Sequence, residues 1–310
     1  MSTVRVYKST DSGAPAHPSS TRGSMAALLR ACLVTGYGSG EDYKAPAGWE
    51  EPFAEAGNIA CFRALEGARQ FYQIDDTQAD ADVTVMRSFE SMSDVATGQG
   101  QWGNEYFGKW YSATYPGTAW IVAADERTVY VWLMSRGGMI PHGFGEYDSL
   151  LTDDPYNSFV AGHESPGYLP YSSSTAAAHL STSQLPGNTG NNFDVHKSLC
   201  GVFGAQSNVV AMGRMAGVIG SDGSWLSQPD IDGLNFMTSP LFISCRTADE
   251  NGLFLYRGKF RGLFAPMASL PVSDGTEITV DGRVLLAINH CPYTSSYEGQ
   301  LLLDITGSWD

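Results

Sequence analysis

This chain of 310 residues is poor in basic side chains, with 18 Lys and Arg against 33 Asp and Glu and a net charge of -15. Nucleic-acid binding relies on clustered cations that displace counterions from phosphates, so the balance argues against direct nucleic-acid contact. An acidic surface instead keeps copies soluble at high concentration. The densest basic run, Arg246, Arg257, Lys259 and Arg261, spreads over a strand pair and is expected to form a solvated face. Long apolar runs are also missing. None approaches the roughly 18 residues of a membrane-spanning helix, which predicts no membrane insertion. The N-terminal MSTVRVYKSTDSG lacks the basic-then-apolar order of a secretory signal, so synthesis in the cytoplasm is expected. Cysteines number five, at 32, 61, 200, 245 and 291, with no CxxC pair. Apolar settings such as LLRACLV and LFISC predict buried free thiols rather than disulfides.

Catalytic signatures are missing as well. There is no GxSxG or SxxK to support a nucleophilic serine, and no GxGxxG or Walker sequence to cradle a phosphate, so no cofactor is expected. The six histidines, at 17, 142, 163, 179, 196 and 290, contain no HExxH. His196 with Cys200, and His290 with Cys291, offer two zinc ligands each where a structural site needs four. The acidic run Asp75 to Asp82 lacks the central Gly and terminal Glu of a calcium loop. Asp75, Asp125, Glu146 and Asp148 are candidate glycosidase carboxylates only if a cleft brings two together. The sequence therefore predicts no enzyme.

What is present is turn chemistry and short apolar strands. Thirty-five Gly, fifteen Pro and 12% aromatic residues favour tight turns over a helical bundle, where Gly is costly. Thr118 to Met134, TAWIVAADERTVYVWLM, places two β-branched and aromatic runs around the turn Ala124-Asp125-Glu126-Arg127, a β-hairpin signature. Similar strands are predicted at 4–7, 58–64, 70–74, 83–89, 141–147, 156–162, 209–212, 240–245, 253–256, 257–264 and 300–305. Strands 277–280 and 283–289 flank Asp281-Gly282, a strong two-residue hairpin turn. One short helix is predicted over 24–34, with Ser24 as N-cap and Gly36 as terminator. The expected fold is mainly β, an antiparallel sandwich or barrel-like hairpin-rich fold with that single helix. Residues 164–192 are rich in Ser, Thr, Gly and Pro and read as a connection between β-rich parts 1–163 and 193–310, which could also pack as one unit.

The stretch QWGNEYFGKWYSATY gathers Trp102, Tyr106, Phe107, Trp110 and Tyr111. These five are the candidate interaction surface, a platform for a glycan or a partner protein. Equally, they read as a loop closing over the core with its rings tucked in.

Three blocks carry a resemblance. They are VYKSTDSGAPAHPSSTRGSMAALLRACLVTGYG near the start, GTAWIVAADERTVYVWL in the middle, and GRVLLAINH with EGQLLLDITGSW at the end. Together they resemble virion structural proteins of tailed bacteriophages. The resemblance implies incorporation into the particle, on the tail, its tip or baseplate, or on the head surface as a decoration protein. Its implied partners are other virion proteins, copies of the same chain and, in one reading, a host surface glycan. None of the three blocks contains a catalytic signature.

Overall fold

A computed structural model describes residues 3–55, 58–78, 82–109, 117–135, 138–162, 192–195, 206–211, 238–246, 254–266, 272–290 and 299–309. Among the described residues strands predominate and helices are few, so the fold is mainly β. Strand β1 (Arg5–Lys8) comes first, then helix α1 (Ser24–Arg30), which widens into a π-turn over Ala31–Thr35. Five strands in meander order make a small antiparallel sheet: β2 (Trp49–Glu55), β3 (Ile59–Ala64), β4 (Phe71–Asp75), β5 (Val83–Asp94) and β6 (Thr97–Gly108). The rest join β1 in a 13-stranded sheet. These are β7 (Gly117–Ala124), β8 (Thr128–Ser135), β9 (Gly138–Glu146), β10 (Asp148–Ser149), β11 (Ser158–Ala161), β12 (Asn192–Val195), β13 (Gln206–Ala211), β14 (Thr238–Arg246), β15 (Phe254–Pro266), β16 (Glu277–Val280), β17 (Arg283–His290) and β18 (Gly299–Asp304).

The large sheet runs β1-β7-β8-β9-β11-β12-β13-β14-β15-β18-β17-β16, with β10 paired to β15. Every pairing is antiparallel. The sheets do not close into a barrel, so of the two expected architectures the sandwich is the one found. Strands from both sides of residues 164–192 share this sheet, because β11 pairs with β12 and β12 with β13. All but Asn192 of the proposed connection lies outside the described residues.

The central hairpin β7-β8 explains the layering. Trp120, Val122, Ala124, Val129, Val131 and Leu133 face one core, together with α1 and the inner face of the small sheet. Ile121, Ala123, Tyr130 and Trp132 face a second core with Leu241, Ile243, Phe260, Leu263, Leu286, Leu301 and Trp309. The hairpin is therefore a middle layer buried on both faces, which is why its strands are almost continuously apolar instead of alternating. Each fully buried large apolar side chain contributes roughly 1.5–3 kcal/mol.

Helix α1 lays Met25, Leu28, Leu29, Cys32 and Leu33 into the first core, a stripe at helical spacing that is wholly buried. Its N-cap is Gly23 in the left-handed region (φ 80), not Ser24. The Ser24 hydroxyl instead turns back to donate to the Ser19 carbonyl at 2.9 Å. Gly36 (φ 71) ends the helical segment as predicted.

Two predictions fail for reasons of packing. Residues 101–108 of the aromatic stretch are not a loop: they form the end of β6, which pairs with β5 over ten residue pairs. A bulge in that pairing, where Ser88 faces Gly103 but Phe89 faces Gln101, leaves Trp102 as the extra residue and turns it inward. The two predicted strands at 253–264 are one, β15, whose pairing with β14 slips between Pro240 and Phe242. Gly262 lies in that irregular stretch at φ 68, and a Cβ there would run into the Trp309 indole, so only Gly fits.

Candidate functional site

Of the five candidate aromatics, the structure places Trp102 and Phe107 inside. Trp102 meets Tyr72 edge-on at 6.2 Å. Phe107 stacks on buried His142, with centroids 4.4 Å apart and the rings nearly parallel at 7°. The His142 Nε2 lies 3.1 Å from the Gly108 carbonyl oxygen. Tyr106 is half-buried, and Trp110 and Tyr111 lie outside the described residues. Trp102 and Phe107 thus belong to the packing between the sheets.

The chemically densest region is a layer of charge where the tip of β7-β8 meets β9, β10 and β15. Asp125 opens the hairpin turn by accepting from the backbone N–H groups of Arg127 at 2.8 Å and Thr128 at 2.7 Å through Oδ1. Its other oxygen pairs with Arg261 Nη1 at 2.8 Å, with both side chains at most 1% exposed. Arg261 Nη1 also donates to Thr128 Oγ1 at 3.1 Å, and its Nε lies 3.4 Å from Asp148. Lys259, which is exposed, reaches Asp148 from outside at 3.4 Å. Two residues before Lys259 in β15, Arg257 pairs with Asp154 at 3.2 Å, donates to the Tyr156 carbonyl at 3.1 Å, and sits 5.8 Å from the Tyr147 ring centre.

The expected solvated basic face is therefore a correction. Arg257 and Arg261 are only 2% and 1% exposed, because loops distant in sequence bring carboxylates over them. Only Lys259 faces water as expected. The Arg246 side chain lies outside the description.

The four candidate carboxylates are engaged in the same manner. Asp125 and Asp148 share the Arg261 guanidinium, which stands between them. Glu146 accepts from the Ala68 backbone N–H and lies 3.8 Å from Arg127. Burial pushes its carboxyl above the ordinary carboxylate range, with Ala68 and Arg127 acting the other way. Asp75 is also subject to an upward push from burial, but hydrogen bonds from Thr77 and Arg87 outweigh it and hold the group below its ordinary value. Such geometry neutralises charge and fixes loops.

Further along the acidic run, Asp76 is buried against Lys109, and no three His, Cys, Asp or Glu among the described residues come together to hold a metal ion. Cys32 and Cys61 are free and buried, as the sequence predicts. His163, His179, His196, Cys200 and Cys291 lie outside the described residues. No described helix is long and apolar enough to cross a membrane. No family model matches the chain, and no curated protein matches it at a significant level.

Proposed function

We propose that the chain is a non-enzymatic structural component of a tailed-phage particle, assembled as a homo-oligomer on the tail, its tip or baseplate. The observation that supports this reading is how the three blocks of the resemblance meet. They lie at the start, middle and end of the sequence, yet β1 pairs with β7 from Arg5 opposite Ala124 to Lys8 opposite Ile121. The Val4 N–H donates to the Gly307 carbonyl at 2.8 Å, and Trp309 lies 5.4 Å from Tyr130 of β8. One contiguous body thus carries the whole resemblance. Its ionic groups are spent on holding loops to strands, which suits a part whose work is shape.

In this reading the partners are neighbouring virion proteins and further copies of the chain. The sheets end in β1, β16, β2 and β6, and an edge strand can accept a neighbour's strand by β-augmentation. The alternative address on the head surface implies the same scaffold and different neighbours. Mass spectrometry of gradient-purified particles tests the proposal. Peptides of this chain at a level comparable with known tail proteins are expected, and their absence from intact particles overturns it.

A further inference from the structure

Among the described residues, three ion pairs are buried at both ends: Arg261 with Asp125, Arg257 with Asp154, and Lys109 with Asp76. The first two involve guanidinium groups, which are delocalised and are poor nucleophiles. The third places a primary amine against a carboxyl, and both side chains are 0% exposed. Lys109 Nζ touches Asp76 Oδ1, yet Oδ1 has no partner in hydrogen-bond geometry. The amine thus lies against the carboxyl group, and it also donates to the Thr21 carbonyl at 3.5 Å.

The surroundings hold both groups still. Lys109 directly follows β6, and its backbone N–H donates to the Asp82 carbonyl at 2.8 Å. Asp76 directly follows β4, and its N–H donates to the Asn58 carbonyl at 2.9 Å. The second carboxyl oxygen, Oδ2, accepts from the Met25 backbone N–H at 3.4 Å. Burial raises the tendency of the Asp76 carboxyl to keep a proton, against the pull of Lys109.

The geometry points to an internal isopeptide bond between Lys109 Nζ and Asp76 Cγ. Proton transfer within the pair gives amine and carboxylic acid. The amine lone pair adds to Cγ, negative charge gathers on the oxygen that the Met25 N–H faces, and the other oxygen, which holds the acid proton, takes one proton from the nitrogen and leaves as water as the C=O bond re-forms. Amine and acid become amide and water, with no oxidant or cofactor. Fixed contact supplies the effective concentration that free groups in water lack. The product also replaces two desolvated charges, which are costly to bury, with a neutral amide. It staples β4 to β6 across the intervening β5. The inference does not depend on the particle role proposed above.

Intact-mass measurement of the folded, purified chain tests it. The expected mass is lower than that of the sequence by one water. Trypsin should then yield a single branched species, residues 70–87 joined to 88–127, because Lys109 is no longer a cleavage site. Lys109→Arg keeps the charge but cannot form the amide, and should show its full mass and release 70–87, 88–109 and 110–127 as three separate peptides. Full mass in the folded wild-type chain overturns the inference. So does a water loss mapped inside one unbranched peptide, as an Asp-Gly succinimide would give.

Discussion

Arg261 is buried and meets Asp125, Asp148 and Thr128 at once. Removing one partner of a buried pair leaves the other charged, desolvated and alone. Arg261→Ala is therefore expected to lower unfolding free energy by about 3–5 kcal/mol. Chemical denaturation measures this, and a change below about 1 kcal/mol would mean that water already solvates the pair. None of this was legible locally. Arg257, Lys259 and Arg261 alternate along one strand as a solvated face does, and the residues that cover two of them come from far away, Asp154 at a separation of 103 and Thr128 at 133.

Glu146 gives a pH signature with a definite sign. Its carboxyl is raised by burial, so the folded state binds the proton more tightly than the unfolded state does. The stability linked to that proton is full in acid and is lost as pH rises through the folded value. Glu146→Gln removes the titration while keeping an oxygen for the Ala68 N–H. The urea midpoint of the variant relative to wild type should therefore rise between about pH 4 and pH 7. A gap that stays level or shrinks would contradict the assignment.

At the scale of elements, the long β5-β6 hairpin does more than extend the small sheet. Its tip curls back across the sheet's outer face, where Gln73 donates to the Val95 carbonyl and Met92 Sδ lies 3.5 Å from Cys61 Sγ. Phe53, Phe71, Phe89 and Met92 close a small apolar cluster around that thiol. Burial pushes Cys61 up to about 12, which leaves little thiolate at neutral pH. Native Cys61 is expected to resist maleimide, and replacing residues 92–97 by a short Asn-Gly turn should open it to labelling, read by peptide mapping. Equal labelling of both proteins would show that the tip does not shield it. The predicted elements succeed where local chemistry decides: Asp281 and Gly282 both take positive φ in the β16-β17 turn, and the helical stripe from Met25 to Leu33 packs as spaced. They fail for β6, where TGQGQ offers Gly and polar residues instead of strand formers, and pairing with β5 overrides propensity.

For the whole molecule, β7-β8 is the layer on which the rest is assembled, with α1 and the small sheet on one face and β14, β15, β17 and β18 on the other. Its apolar runs announced strands in the sequence, but burial on both faces depends on how the large sheet folds over, which no local pattern encodes. The charged tip of the same hairpin ties the first half of the chain to β15 through Asp125 and Arg261. A rigid, hairpin-built body of this kind suits repeated placement around a symmetry axis. The role proposed for the chain is that of a structural component of a tailed-phage particle, on the tail, its tip or baseplate. A reconstruction of the particle with symmetry-resolved tail density tests it most directly. The two-sheet body, with β7-β8 between its cores, is expected to fit repeated subunits of the tail or baseplate. Tail density fully accounted for by other chains would contradict the claim.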